Sequence, residues 1–298
     1  MPSRAPLALA VALALAPTPP AGGPGDRNAP RLALEAPPSL AADARRLEQI
    51  DPGRLAAVAR LVGLEAAGPA VRIVLAPEDS DVAAETPPWV PAFARGDVVV
   101  ILPNRTLSYP YTTLEEVLQH EIAHVLVARA SGHRPVPRWF NEGVAMLAEQ
   151  AWSLGERTRF AYELASGRVV SPRELDALFH GSAGDRARAY NLSNAWMHDL
   201  VGAHGPGFPA RVLRAMRTGL EFEAAFLDVA GTTVGESSTA FWRRRRLWLV
   251  WLPWLTSPQT LYTLTTVLAL LAFWRARALR AARRRAQEAE DPVEHDSP

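Results

Sequence analysis

Two histidines four residues apart, His120 and His124, stand with Glu121 in VLQHEIAHVLVA, residues 117–128; Gln119 apart, the rest of that stretch is Val, Leu, Ile and Ala. On an α-helix this spacing places the imidazoles about 40° apart around the axis and about 6 Å apart along it, so both can reach one tetrahedral ion. Glu121 is turned by about 100° from His120 and points beside such an ion, where it can take a proton from an acidified water. In 298 residues with 7 histidines and 19 glutamates, chance yields this pattern on the order of 0.01 times, so coincidence explains it poorly. The structural alternative is a pair of buried histidines bonded to backbone carbonyls. Burying both beside a carboxylate is costly unless each finds a partner. The chain has no cysteine, which excludes disulfides and thiolate metal sites and leaves His and carboxylate as metal ligands.

A catalytic metal needs a third protein ligand. The helix supplies none: the longer motif that would use it needs Gly at 127 and His at 130, where Val127 and Ala130 stand. Downstream comes PRWFNEGVAMLAE, residues 137–149. Its WFNEGVA core resembles the Trp-Leu-Asn-Glu-Gly-Phe-Ala pattern of the aminopeptidase branch of the gluzincins, zinc peptidases that take a glutamate from the next helix. The resemblance spans residues 113–152 and, more loosely, 171–242, and is similar to the small bacterial domains of the peptidase MA group.

That resemblance implies one zinc ion held by His120, His124 and Glu142, with Glu121 as general base. Seventeen residues separate His124 from Glu142, one fewer than is usual in that branch, a change the loop SGHRPVP can absorb. It also implies that Glu149, seven residues on and on the same helix face, orients a ligand histidine; a solvated surface glutamate would read the same way. Tyr190, 48 residues past Glu142, is the candidate to stabilise the oxyanion, with His198 as runner-up and a core tyrosine as the plain alternative. His133, His180, His204 and His295 receive no role. The strand Val98, Val99, Val100, Ile101 and Leu102 is the candidate edge that pairs with an extended substrate. The branch's Gly-x-Met-Glu-Asn stretch, which grips a free N-terminus, does not occur here, so an endopeptidase acting on protein or peptide is preferred. The alternative from another class is a catalytically silent binding, scaffold or sensor domain.

The elements that must position these residues are legible in outline. Residues 40–63 read as two short helices split by DPG, and 71–77 and 97–103 as strands. Thr112 with Glu115, or Thr113 with Glu116, makes a capping box, so the histidine helix should run from about Thr113 to Ala130. A second helix opens near Arg138, and Ser171, Pro172 and Glu174 start another. The expected class is α+β: a small mixed sheet followed by a mainly helical half, residues 33–242, plus one C-terminal transmembrane helix.

At the N-terminus, Arg4 and a 12-residue apolar run from Ala5 to Ala16 match a secretory signal, assigned to residues 1–21, with a Pro/Gly linker at 22–32. Near the other end, 28 uncharged residues from Leu247 to Trp274 lie between arginine clusters. They read as a basic, Trp-rich juxtamembrane segment at 243–255, a spanning helix at 256–275 and a basic then acidic cytoplasmic tail at 276–298. All basic residues are arginine, and Ala, Pro and Gly abound, which suggests a GC-rich bacterial source. The expectation is a single-pass protein of a bacterial cell membrane with its peptidase domain extracytoplasmic (periplasmic). A net charge of +1 gives no case for nucleic-acid binding.

Overall fold

The computed structural model describes residues 28–105, 110–149, 169–244 and 258–290. The chain opens with strand β1 (Leu32–Glu35), then helices α1 (Ala41–Glu48) and α2 (Pro52–Leu61), the latter capped by Asp51 with Pro52 in its first turn. Strand β2 (Val71–Leu75), short helix α3 (Asp81–Glu85) and strands β3 (Ala92–Arg95) and β4 (Val98–Ile101) complete the sheet-bearing part. The sheet order is β1-β2-β4-β3; β1, β2 and β4 run parallel and β3 is antiparallel to β4. Gly96 has φ +60° at the first position of the two-residue β3–β4 turn, where a hairpin needs a left-handed residue.

Helix α4 (Leu114–Ala130) packs against β3, β4 and α2 on one side and against α5 (Arg138–Ala148) and α8 (Phe208–Arg217) on others. This central place explains its apolar sequence, since a helix covered all round has no face to leave polar. The capping box that forms is Thr113 with Glu116. The remaining helices are α6 (Pro172–Leu178), α7 (Ala183–His204), α9 (Phe222–Ala230), α10 (described from 234 to 244) and α11 (Pro258–Glu290). Trp139 of α5 stacks on Trp196 of α7 with ring centroids 3.9 Å apart, and Phe140, Phe222 and Phe226 close around them.

Helices α5 and α7 come unusually close at Gly143. A Cβ there would lie 2.9 Å from the Ser193 carbonyl oxygen and 3.1 Å from the Met197 Cβ. Glycine therefore sets the spacing between the helix that carries Glu142 and the one that carries Tyr190.

The C-terminal expectation is corrected. Among the described residues no helix is long and apolar enough to cross a membrane, so a single-pass membrane protein is not supported. Of the 28 uncharged residues, 247–257 lie outside the described residues; within α11, 17 run from Pro258 to Trp274, among them Gln259 and four threonines. Those 17 residues rise about 25 Å, short of a hydrocarbon core of about 30 Å. The helix then runs past the expected boundary at 275 and through the arginines to Glu290. The signal assigned to 1–21 lies outside the described residues, as do 22–27 of the linker and 245–255 of the juxtamembrane segment; Leu32 belongs to β1 and 243–244 to α10.

Candidate metal centre

His120 and His124 project from successive turns of α4, and α5 brings Glu142 to meet them. The Glu142 Oε2 lies 3.2 Å from His120 Nε2 and 3.5 Å from His124 Nε2. One donor atom from each of the three side chains falls within 4.8 Å of the others, and His120 and Glu142 are buried. Tetrahedral zinc with bonds of about 2.0–2.1 Å sets its ligands about 3.3–3.4 Å apart, so the two measured separations suit such an ion. This buried group could hold a metal ion.

Each imidazole is fixed through its other nitrogen. His120 Nδ1 bonds to Glu149 Oε1 at 2.7 Å, and His124 Nδ1 to Asn141 Oδ1 at 3.0 Å. If a metal were bound, Nδ1 would donate to these oxygens and leave each Nε2 lone pair for the ion, the tautomer a metal ligand requires. Asn141 was quoted in the sequence only as part of a motif, and its hold on His124 was not anticipated. Nor was Tyr111, a buried phenol whose ring centroid is 5.1 Å from that of His120.

The electrostatics are those of a crowded polar pocket. Burial pulls the His120 imidazole down, but hydrogen bonds to Glu142 and Glu149, with their charges, raise it from 6.5 to about 10. His124 is raised in the same way, chiefly by the charge of Glu142 against the cost of burial. Burial pushes Glu142 up, yet the two imidazoles hold it well below the usual carboxylate range. Glu121 is raised, because burial outweighs the neighbouring histidines and the hydrogen bond it accepts from the Ala94 backbone N–H. Burial also raises Tyr111 and Tyr190, keeping both phenols protonated and able to donate.

Glu121 and His124 open on a cleft of about 740 Å³ whose walls include Phe93, Arg138, Phe179, Arg186 and Tyr190. Tyr190 sits beside the centre, 6.3 Å between ring centroids from His120, with Arg138 also lining the cleft. Arg138 reaches Glu142 Oε1 at 3.4 Å. The cleft lining includes Tyr190 and His180 but neither His198 nor His133.

The expected substrate strand needs correction. Val98–Leu102 is an interior position: β4 is paired to β2 on one edge and β3 on the other, and the Leu102 N–H is spent on the Pro91 carbonyl. Of the two edge strands, β1 and β3, it is β3 that lines the cleft. Arg95 and Val98 flank a two-residue turn and so form a hydrogen-bonded pair, as do Phe93 and Val100. The main-chain groups of Ala92 and Ala94 therefore point away from β4, and both residues line the cleft. Compared with family models, with curated proteins and with solved structures, the chain has no match.

Proposed function

We propose that this chain is a zinc-dependent peptidase, acting as an endopeptidase on extended protein segments, with His120, His124 and Glu142 as ligands. The observation that carries the reading is the convergence of two oriented imidazoles and one carboxylate beside a second, protonatable carboxylate in an open cleft. The donor set fits: two nitrogens and one oxygen, at separations suited to a tetrahedral ion, with no thiolate.

When bound, the ion supplies a Lewis acid that acidifies water and polarises a carbonyl. Glu121 then takes a proton from the attacking water and returns it to the leaving amine, a task suited to a carboxylate that burial makes more basic than usual. Tyr190, whose phenol is kept protonated by burial, presents its hydroxyl proton to the carbonyl oxygen as charge builds there. The outward N–H and C=O of Ala92 and the outward C=O of Ala94, whose N–H turns to Glu121, offer an extended substrate main-chain partners along β3.

The test is metal analysis and digestion of an unfolded protein by the purified chain, beside Glu121→Gln and Glu142→Ala. Expected are about one zinc per chain, cleavage by the wild type, retention of metal with at least ~100-fold slower cleavage in Glu121→Gln, and loss of metal in Glu142→Ala. Cleavage by Glu121→Gln at the wild-type rate refutes the base. A zinc-loaded wild type that leaves unfolded proteins and peptides intact makes the chain a binding domain instead.

A further inference from the structure

The acidic and guanidinium groups lining the cleft divide into two sets. Glu121 and Glu142 lie at the metal centre, and a divalent ion would balance them. The others are the guanidiniums of Arg138 and Arg186, and among the described residues no third carboxylate lines the same space.

Both guanidiniums are held by aromatic rings rather than spent on ion pairs of full strength. The Arg138 Cζ lies 4.6 Å from the Phe179 ring centroid, and its Nε approach to Glu142 is a long 3.4 Å with the side chain 40% exposed. The Arg186 Cζ lies 5.2 Å from the Trp89 ring centroid, and its Nη1 donates to the Gly181 carbonyl at 2.8 Å. Stacking fixes the plane of a guanidinium and leaves its in-plane N–H groups to bind a carboxylate side by side. Two neighbouring acids are turned to other work. Asp176 accepts the Trp139 N–H, and Asp185 closes the capping box of α7 with Ser182. Neither lines the cleft.

The geometry also gives a distance. Ala183, Arg186, Ala187 and Tyr190 lie three, four and seven residues apart on α7 and all line the cleft, so they form one stripe along the helix. Arg186 is one turn from Tyr190, about 6 Å along the axis, or about two residues of extended chain. Ala187, between them on this stripe, leaves room for a substrate side chain.

Resting on the peptidase reading for the place of the scissile bond, we propose that Arg186 and Arg138 form a subsite for a substrate carboxylate within about two residues of that bond. The substrate class is then a peptide segment bearing an Asp or Glu side chain, or its own C-terminal carboxylate, at that distance.

The test is binding to the full-length, zinc-loaded Glu121→Gln protein, so it does not depend on turnover. Four peptides of one Ala/Ser/Leu backbone with a neutral fluorophore are compared by anisotropy. One carries an internal Glu and a C-terminal amide; one has no acid but a free C-terminus; one has neither; one has Lys in place of Glu. The first or second, according to which source supplies the group, should bind about tenfold tighter than the third. The Lys peptide should bind weakest. Adding Arg186→Glu should abolish or invert the order. Equal binding of the first three peptides overturns the subsite. So does a carboxylate preference that persists in Arg186→Glu, since the ion itself would then be the receptor. Digestion of the same set by wild-type protein tests the peptidase reading separately: no cleavage with intact carboxylate preference refutes hydrolysis and leaves the subsite standing.

Discussion

The contact between Glu149 and His120 offers the sharpest quantitative test. Glu149 Oε1 sits 2.7 Å from Nδ1, with the carboxylate side chain 15% exposed and the imidazole fully enclosed. Through the ring, that oxygen would stand about 6.5 Å from an ion bonded at Nε2. A single negative charge at about 6.5 Å from a double positive one is worth about 1.3 kcal/mol in bulk water and about 5 kcal/mol at an effective dielectric of 20. The partial exposure of Glu149 favours the lower half of that range. Glu149→Gln keeps an acceptor but removes the charge, and should weaken zinc binding about tenfold; Glu149→Ala also frees the ring and should weaken it about 100-fold. Because Glu149 also holds a proton on His120, which competes with metal, the loss should be larger at about pH 8.5 than at about pH 7. Competitive titration with a chromophoric chelator measures each Kd. Values for both variants within twofold of wild type would mean that Glu149 is only a surface residue, and that the charge reasoning is wrong.

Tyr190→Phe should lower kcat by about 100-fold with KM and zinc content little changed, since the hydroxyl is asked to act only as charge develops; steady-state kinetics on a quenched peptide decides it. Gly143→Ala should destabilise the fold by about 1–2 kcal/mol, because crowding against the Ser193 carbonyl exceeds the gain in helix propensity. It should also reduce kcat by displacing α7; urea unfolding as stable as wild type would refute the close approach. In protein stripped with chelator, stability contributed by His120 is complete below its unfolded value of about 6.5. It is lost as pH rises through the folded value of about 10. Thermal midpoints of stripped protein should therefore fall between about pH 6.5 and 10, and added zinc should remove that decline. A flat profile without metal would contradict the pairing of His120 with Glu142 and Glu149.

Sequence periodicity revealed what depends on local spacing. The four-residue interval of the histidines, the Thr113–Glu116 box and the Ser171 cap are each set within a few residues, and each forms. Glu149 could be placed on a face but not given a partner, because its partner lies on another helix 29 residues away. The strand assignment failed for a physical reason. A run such as VVVI advertises burial on both faces, which belongs to an interior strand. The edge strand AFAR carries no β-branched residue and is defined only by the tertiary pairing of its hairpin. The C-terminal stretch misled because the absence of charge was read as apolarity: the part of the expected span that lies in α11 includes Gln259 and four threonines, which keep the described helix from being apolar enough to cross a membrane. Arg138 and Arg186 look like ordinary helix-surface arginines; the stacking that aims them depends on Phe179 and Trp89, remote in the chain.

The open side of β3 lies within the cleft rather than on the outer surface. Unpaired main-chain groups on a strand recruit any other strand that can reach them, and here they line a cleft shared with Trp89 and Tyr190. A helix has already used its N–H and C=O groups internally and gives this strand nothing to bind. Four residues of free backbone, about 13 Å of extended chain, are the least that can engage it. On the proposed function, the local unfolding of a target would govern its capture before any side chain is read, and a compact protein would become a substrate only as fast as one of its segments frays.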